Sequence, residues 1–191
     1  MQHLNNEQPC HGSLAIKDFR DNVLNVYQIH NTYFEHLNEC LVTVITRHEY
    51  DGRTLERVWV NEGDIVSKMQ SRYPSCTFRV VDFVLLTMSA QIQTIYESSM
   101  VLGMHGAGMA NVMWLRESKY VVEIFPRNKF RYGYRNLCQY LGCHYHQYRG
   151  GFDLGKAANK KIESVSWFKF LDPIMEKMIA NLPRNSTLER R

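Results

Sequence analysis

No stretch of this 191-residue sequence approaches the roughly 20 consecutive apolar residues of a membrane-spanning helix, so no transmembrane segment is expected. The opening segment, Met1 to Glu7, is polar and lacks the apolar run of a signal peptide or an anchor. The chain therefore reads as soluble and untargeted, and as compatible with the loss of an upstream part. Positive charge is also thinly spread. The net charge of +4 collects only in Lys156 to Lys161, in Arg127-Lys129-Arg131 and in the terminal Arg190-Arg191 pair. A nucleic-acid surface needs a denser basic stripe, so nucleic acid is not an expected partner.

Cysteines are few and scattered: Cys10, Cys40, Cys76, Cys138 and Cys143. No two are separated by two residues, which removes a zinc knuckle. Cys40 and Cys76 adjoin expected strands, where cysteine usually acts as a small buried hydrophobe. One disulfide is compatible with the set, with Cys10 as a candidate partner, but the spacing pairs none of them. Missing too are a His-Glu-x-x-His helix, a Gly-x-Gly-x-x-Gly fingerprint, a Gly-Lys-Ser/Thr phosphate loop and a Gly-x-Ser-x-Gly elbow. These absences weigh against a zinc peptidase, a dinucleotide oxidoreductase, a nucleoside triphosphatase and a serine hydrolase. Ser98 and Ser99 precede an expected strand instead of following one, so no nucleophilic triad is expected.

What is present is alternation. Ile16, Phe19, Val23, Val26 and Tyr27 recur at helical spacing. Leu41 to Thr46 is β-branched and almost wholly apolar, as in a parallel strand covered on both faces. After a charged loop with an Asp51-Gly52 turn signal, Asn61 can cap a helix from Glu62 to Arg72, stopped at Tyr73-Pro74. Further strands are expected at Thr77 to Val81, Met100 to Met104, Tyr120 to Phe125 and Cys143 to Tyr148. Helices are expected from a Ser89 cap to Glu97, around Ala110 to Leu115, and from Tyr134 to Leu141. The pattern predicts an α/β fold, a single Rossmann-like αβα domain with a mostly parallel sheet. Residues 1–39 form a lead-in and helix, 40–150 the core, and 151–191 a polar loop and an amphipathic C-terminal helix around Pro173. That helix packs back on the domain or on a partner domain. Asn185-Ser186-Thr187 matches an N-glycosylation acceptor.

Ligands of open parallel sheets sit beyond the C-terminal ends of the strands, and four features fall there. His105-Gly106-Ala107-Gly108 follows a strand and opens a helix, so small residues allow close backbone approach and helix-start N–H groups can meet an anion. The alternative is a turn needed only for packing. His105 itself can donate to a phosphate or act as a base, or serve structure alone. Arg47 follows the first strand, where a guanidinium fork suits a diphosphate; the alternative is a solvated loop arginine. Glu123 interrupts Val121-Val122-Glu123-Ile124-Phe125, where an unsatisfied carboxylate is costly. It either binds ribose hydroxyls or lies on an exposed strand face or edge. His144 and His146 share a strand face but lack a third metal ligand. Phe130, Tyr132 and Tyr134 either line the cleft or pack a loop.

Several of these pieces occur together in one family. Val42-Thr43-Val44-Ile45-Thr46-Arg47, Val81-Asp82, Gln91-Ile92 and Gly103-Met104-His105-Gly106-Ala107-Gly108-Met109 appear in order, followed by Val121-Val122-Glu123-Ile124-Phe125-Pro126 and Tyr134-Arg135-Asn136-Leu137. In this the chain resembles the family 61 glycosyltransferases. The resemblance implies the C-terminal, donor-binding half of a two-domain GT-B enzyme. It implies an inverting, metal-independent transferase that needs no cofactor and moves GlcNAc or xylose from a UDP-sugar to a hydroxyl of a glycoprotein or polysaccharide. Arg47 would then bind the diphosphate, His105, Gly106, Ala107 and Gly108 would form the phosphate-facing turn, and Glu123 would contact the ribose. Catalytic roles fall to His105 and Arg47. A missing N-terminal domain becomes an expected partner, and the endoplasmic reticulum lumen or Golgi the expected compartment. The sequence departs from the family at Met109-Ala110-Asn111, where Leu-Thr-Asn is usual, and at Arg116, where proline is usual. The alternatives are a non-catalytic nucleotide- or partner-binding domain and another phosphate-handling α/β enzyme.

Overall fold

Residues 12–29, 39–48 and 56–183 are described by the computed structural model. Cys10, Asp51-Gly52 and Asn185-Ser186-Thr187 lie outside the described residues. The chain begins with α1 (Leu14–Val26), then β1 (Cys40–Ile45), α2 (Glu62–Arg72), β2 (Cys76–Val81), α3 (Met88–Glu97) and β3 (Met100–Met104). It continues with β4 (Tyr120–Ile124), α4 (Gly133–Tyr140), β5 (His144–Tyr148), β6 (Phe152–Leu154), β7 (Asn159–Lys161) and α5 (Ser164–Ala180). The five main strands form one parallel sheet in the order β2-β1-β3-β4-β5. From β1 the chain steps outward to β2, then crosses back to β3 on the other side of β1. The order therefore reverses between β1 and β3, where sheets of this type open a crevice for ligands.

Alternation along the strands divides the core in two. Val42, Val44, Met100, Leu102, Val122 and Ile124 point to the face covered by α2 and α5, where Ile65, Met69, Trp167 and Met175 complete a buried cluster. Ile45, Val101 and Val121 point to the other face, against α1, α3, α4 and the 3-10 helix Ala107–Trp114. With both faces covered, β3 and β4 are buried at every position, which is why they read as continuous apolar runs.

Several local expectations are corrected by tertiary partners. Thr87, not Ser89, caps α3, its hydroxyl accepting from the Ala90 N–H at 3.3 Å. Asn61 precedes α2 without capping it; its amide donates to the Ile162 carbonyl at 2.8 Å and accepts from the Ile162 N–H at 2.9 Å. The helix expected after the glycine turn is a 3-10 helix. The polar stretch after Gly150 is not a loop but the antiparallel hairpin β6–β7. Trp59 bridges to Lys160 of that hairpin, whose fully buried ammonium is bound to Asp153 at 2.7 Å. Pro173 lies in the interior of α5 without dividing it. Burial of Trp167, Leu171, Ile174, Met175 and Met178 on both sides of the proline outweighs its lost hydrogen bond. Arg116 donates to the carbonyls of Tyr96 and Glu97 at the end of α3.

Cys40 and Cys76 are also not simple buried hydrophobes. They are register partners at the first positions of β1 and β2 and form a disulfide across 36 residues of sequence. Closing a loop of that length restricts the unfolded chain by roughly 3–4 kcal/mol. Urea unfolding of the Cys40→Ser/Cys76→Ser protein is therefore expected to show a stability loss of about 3 kcal/mol. Reductant is expected to bring the unaltered protein to the same value and to leave the double variant unchanged.

Candidate functional site

Parallel register builds a row of side chains across the tops of the central strands. Ile45 pairs with Gly103, and Gly103 with Glu123. Two residues further on, the same sheet face presents Arg47, His105 and Phe125, because side chains alternate with period two. The pairing continues beyond the strand ends: the His105 N–H donates to the Ile124 carbonyl and the Phe125 N–H to that of Tyr148, both at 2.8 Å. Arg149 completes the row, its guanidinium 4.8 Å from the Phe125 ring and 4.6 Å from that of Phe130.

Arg47 reaches across the gap between β1 and β3 onto the glycine turn. A Cβ placed on Gly106 would lie 1.6 Å from Nη2 of Arg47, so the guanidinium occupies the space a side chain would need. Gly106 has an extended backbone, φ 161°, so a side chain there would be opposed not by conformation but by the Arg47 guanidinium, which it would displace. Gly108 is packed against Ile45, with 3.0 Å between its virtual Cβ and the Ile45 Cγ2. Gly106, Ala107 and Gly108 start the 3-10 helix, where the first N–H groups have no partner within the helix. A cation thus lies beside the start of a helix whose first N–H groups lack helical partners, and an anion is suited to that spot.

Behind this spot His105 is held from three sides. Its ring stacks on Phe125, with centroids 4.5 Å apart and planes at 21°, and lies 5.8 Å from Tyr134. Its Nδ1 is 2.6 Å from Oε1 of Glu123, while the Tyr145 hydroxyl donates to Oε2. Glu123 is 1% exposed. It lies neither on an open face nor at an edge, and both oxygens are satisfied by side chains, which removes the penalty of an unpaired buried carboxylate. Burial, followed by the charge of Glu123, pushes the Tyr145 hydroxyl well above its ordinary range, so it stays a donor. Facing a carboxylate, which only accepts, Nδ1 of His105 is the donor of this pair.

Arg47 also belongs to a cleft of about 350 Å³ between the ends of β1 and β3 and the start of α2, lined by His48, Arg57, Trp59, Glu62 and Met104. Burial raises the pKa of Glu62, opposed by a hydrogen bond from Thr46 and by His48. His48 is anchored by Asp82: one carboxylate oxygen, Oδ2, accepts its backbone N–H at 3.0 Å and faces its Nδ1 at 3.2 Å. Sequence reasoning placed Arg47, His105, Gly106, Ala107, Gly108 and Glu123 at strand ends, and the structure gathers all six. It missed His48, Arg57, Glu62 and Tyr145. A signal existed for the first: Asp82 directly follows β2 and His48 lies three residues past β1, at neighbouring parallel strand ends.

Other candidates lie elsewhere. His144 and His146 pack on Tyr120, with centroids 4.7 and 6.1 Å away. Among the described residues no group of three His, Cys, Asp or Glu side chains that could hold a metal ion occurs. Ser98 bonds to Thr43 and Thr94, and Ser99 to the Glu39 carbonyl, at the opposite end of the sheet from the cleft. Tyr134 contacts His105, Tyr132 lies under Arg135 at 4.2 Å, and Phe130 is exposed beside Arg149.

A family model described as Glycosyltransferase 61 matches residues 4–122, more than half of the chain. The match contains Arg47, His48 and the whole glycine turn and stops one residue before Glu123. No curated protein matches the chain.

The buried network gives a direct stability test. Glu123→Ala leaves the Tyr145 hydroxyl and His105 Nδ1 without their partner, and urea unfolding is expected to show a loss of roughly 2–4 kcal/mol. Glu123→Gln, which keeps shape and an acceptor, is expected to lose less. A change below about 0.5 kcal/mol, as at an ordinary surface site, would contradict the network.

Proposed function

The chain belongs to the family 61 glycosyltransferases, and from that premise we propose that the spot faced jointly by Arg47 and the start of the Gly106–Gly108 turn receives the diphosphate of a nucleotide-sugar donor, UDP-GlcNAc or UDP-xylose. The observation that carries this reading is the seating of the Arg47 guanidinium against the backbone of Gly106. It places a planar double donor beside helix-start N–H groups at the reversal point of a parallel sheet. Burial behind Phe125 and Tyr134 keeps the His105 ring ordered at the edge of the same spot.

The donor sugar extends into the cleft lined by Arg57 and Trp59. An acceptor hydroxyl, on a glycoprotein or a polysaccharide, attacks the anomeric carbon from the face opposite the diphosphate, and configuration inverts. Negative charge grows on the departing UDP. Arg47, with Arg57 nearby and the turn's N–H groups, stabilises that charge as fixed donors do in other leaving-group sites, so these groups take the part a metal ion would otherwise play. Glu123, 1% exposed, acts here through His105. A second Rossmann-like domain, as in GT-B enzymes, closes over the donor and completes the acceptor groove. The Cys40–Cys76 disulfide supports maturation in an oxidising compartment, the endoplasmic reticulum lumen or Golgi.

Calorimetric titration with UDP tests the site. One UDP is expected to bind per chain, and Arg47→Ala is expected to weaken it at least tenfold, about 1.4 kcal/mol. Uridine, which has no diphosphate, is expected to bind equally to both proteins. Folded protein that binds no UDP, or that binds NAD in its place, would contradict the reading.

A further inference from the structure

The donor site leaves open which group takes the acceptor's proton. We infer that His48 is this catalytic base and that Asp82 is its positioning residue, an inference that rests on the donor site proposed above. His48 is adjacent to Arg47 in sequence, at the C-terminal end of β1, and lines the same cleft. Its side chain is 71% exposed, whereas that of Asp82 is 9% exposed. The ring is therefore open to an incoming hydroxyl, while its anchor is fixed.

Asp82 is well placed to fix the tautomer. Its Oδ2 accepts the His48 backbone N–H and faces the ring Nδ1, and its Oδ1 accepts the Val84 N–H at 3.2 Å, capping the short 3-10 turn Phe83–Leu85. A carboxylate held on both oxygens cannot rotate away. Because it only accepts, Nδ1 carries the hydrogen and Nε2 presents its lone pair on the side of the ring away from Asp82. The His105–Glu123 pair has the same chemistry, but stacking on Phe125 and Tyr134 leaves His105 only 14% exposed. One pair is thus packed behind the diphosphate site, and the other stands open at the mouth of the cleft. Among the described residues, the charged groups around His48 are Arg47, Arg57, Glu62 and Asp82. Of these, Glu62 is the rival base, but it lies half-buried in the first turn of α2, whereas His48 is exposed.

In the step, the acceptor O–H bond breaks and its proton passes to Nε2 of His48. The acceptor oxygen forms a bond to the anomeric carbon. The bond from that carbon to the β-phosphate oxygen breaks, and its electron pair leaves with UDP.

The test follows UDP release from UDP-GlcNAc and UDP-xylose by the full chain, with water as the acceptor, beside calorimetric UDP binding. His48→Ala is expected to lower kcat by about 100-fold or more while the UDP Kd changes less than twofold. Added imidazole is expected to restore part of the lost rate, which a merely structural histidine would not allow. Asp82→Asn keeps the cap and removes the obligatory acceptor, and is expected to lower kcat with KM unchanged. Undiminished kcat in His48→Ala, or loss of turnover in Glu62→Gln alone, would overturn the assignment. So would an unaltered protein that binds UDP yet releases none from either donor, an outcome that leaves the donor site standing. Absence of UDP binding would remove the donor site and this inference together.

Discussion

The guanidinium of Arg47 sits where any side chain at position 106 would have to be, and the rest of the site depends on that close approach. It requires β1 and β3 to be neighbours in one register, with Ile45 opposite Gly103, so that both strand ends deliver their next outward residues to the same spot. The register is set by the core. Val42, Val44, Met100 and Leu102 are fully buried beneath α2 and α5, and a slip of one residue would turn each of them, and Arg47, to the opposite face. Gly103 contributes by omission: a Cβ there would come within 3.1 Å of Ile45 and 3.3 Å of Met109. Packing of the sheet and assembly of the anion site are therefore one constraint.

Behind the open spot lies a layer that keeps its geometry. Glu123 interrupts an apolar strand, and burying a carboxylate is unfavourable unless its oxygens are occupied. Here His105 and Tyr145 occupy them, one directly after β3 and one from β5. The aromatic rings of Phe125 and Tyr134 confine the imidazole, and Arg149 binds the carbonyls of Arg127 and Lys129 in the following loop. Ring orientation at His105 thus follows from four strand and helix positions that need not touch a ligand. Preorganisation of this kind keeps the wall of the site in place without reorganisation cost when charge develops beside it.

Much of this was legible in the sequence. The apolar runs at 41–46 and 100–104 and the bounds of α2 follow from local patterning, and so does the placement of Arg47, the glycine turn and Glu123 at strand ends. What remained hidden depends on residues far apart in the chain. The partner of Glu123 is Tyr145, 22 positions later. Cys40 and Cys76 meet only because β1 and β2 pair from their first residues. Asn61 looked like a cap because nothing local discloses Ile162, and the continuity of α5 through Pro173 was not legible because burial around that helix is a tertiary property. His48 and Asp82 each directly follow the last or next-to-last residue of a strand motif, yet their pairing needs the β1–β2 register to become visible.

Coupling between Arg47 and Gly106 tests the central constraint most directly. UDP affinity measured for Arg47→Ala, Gly106→Ala and the double variant forms a cycle. If the guanidinium must seat on the Gly106 backbone to hold the diphosphate, Gly106→Ala displaces it, and the double variant binds UDP about as well as either single one. Strictly additive losses would mean that the two positions act separately, and would contradict the shared site.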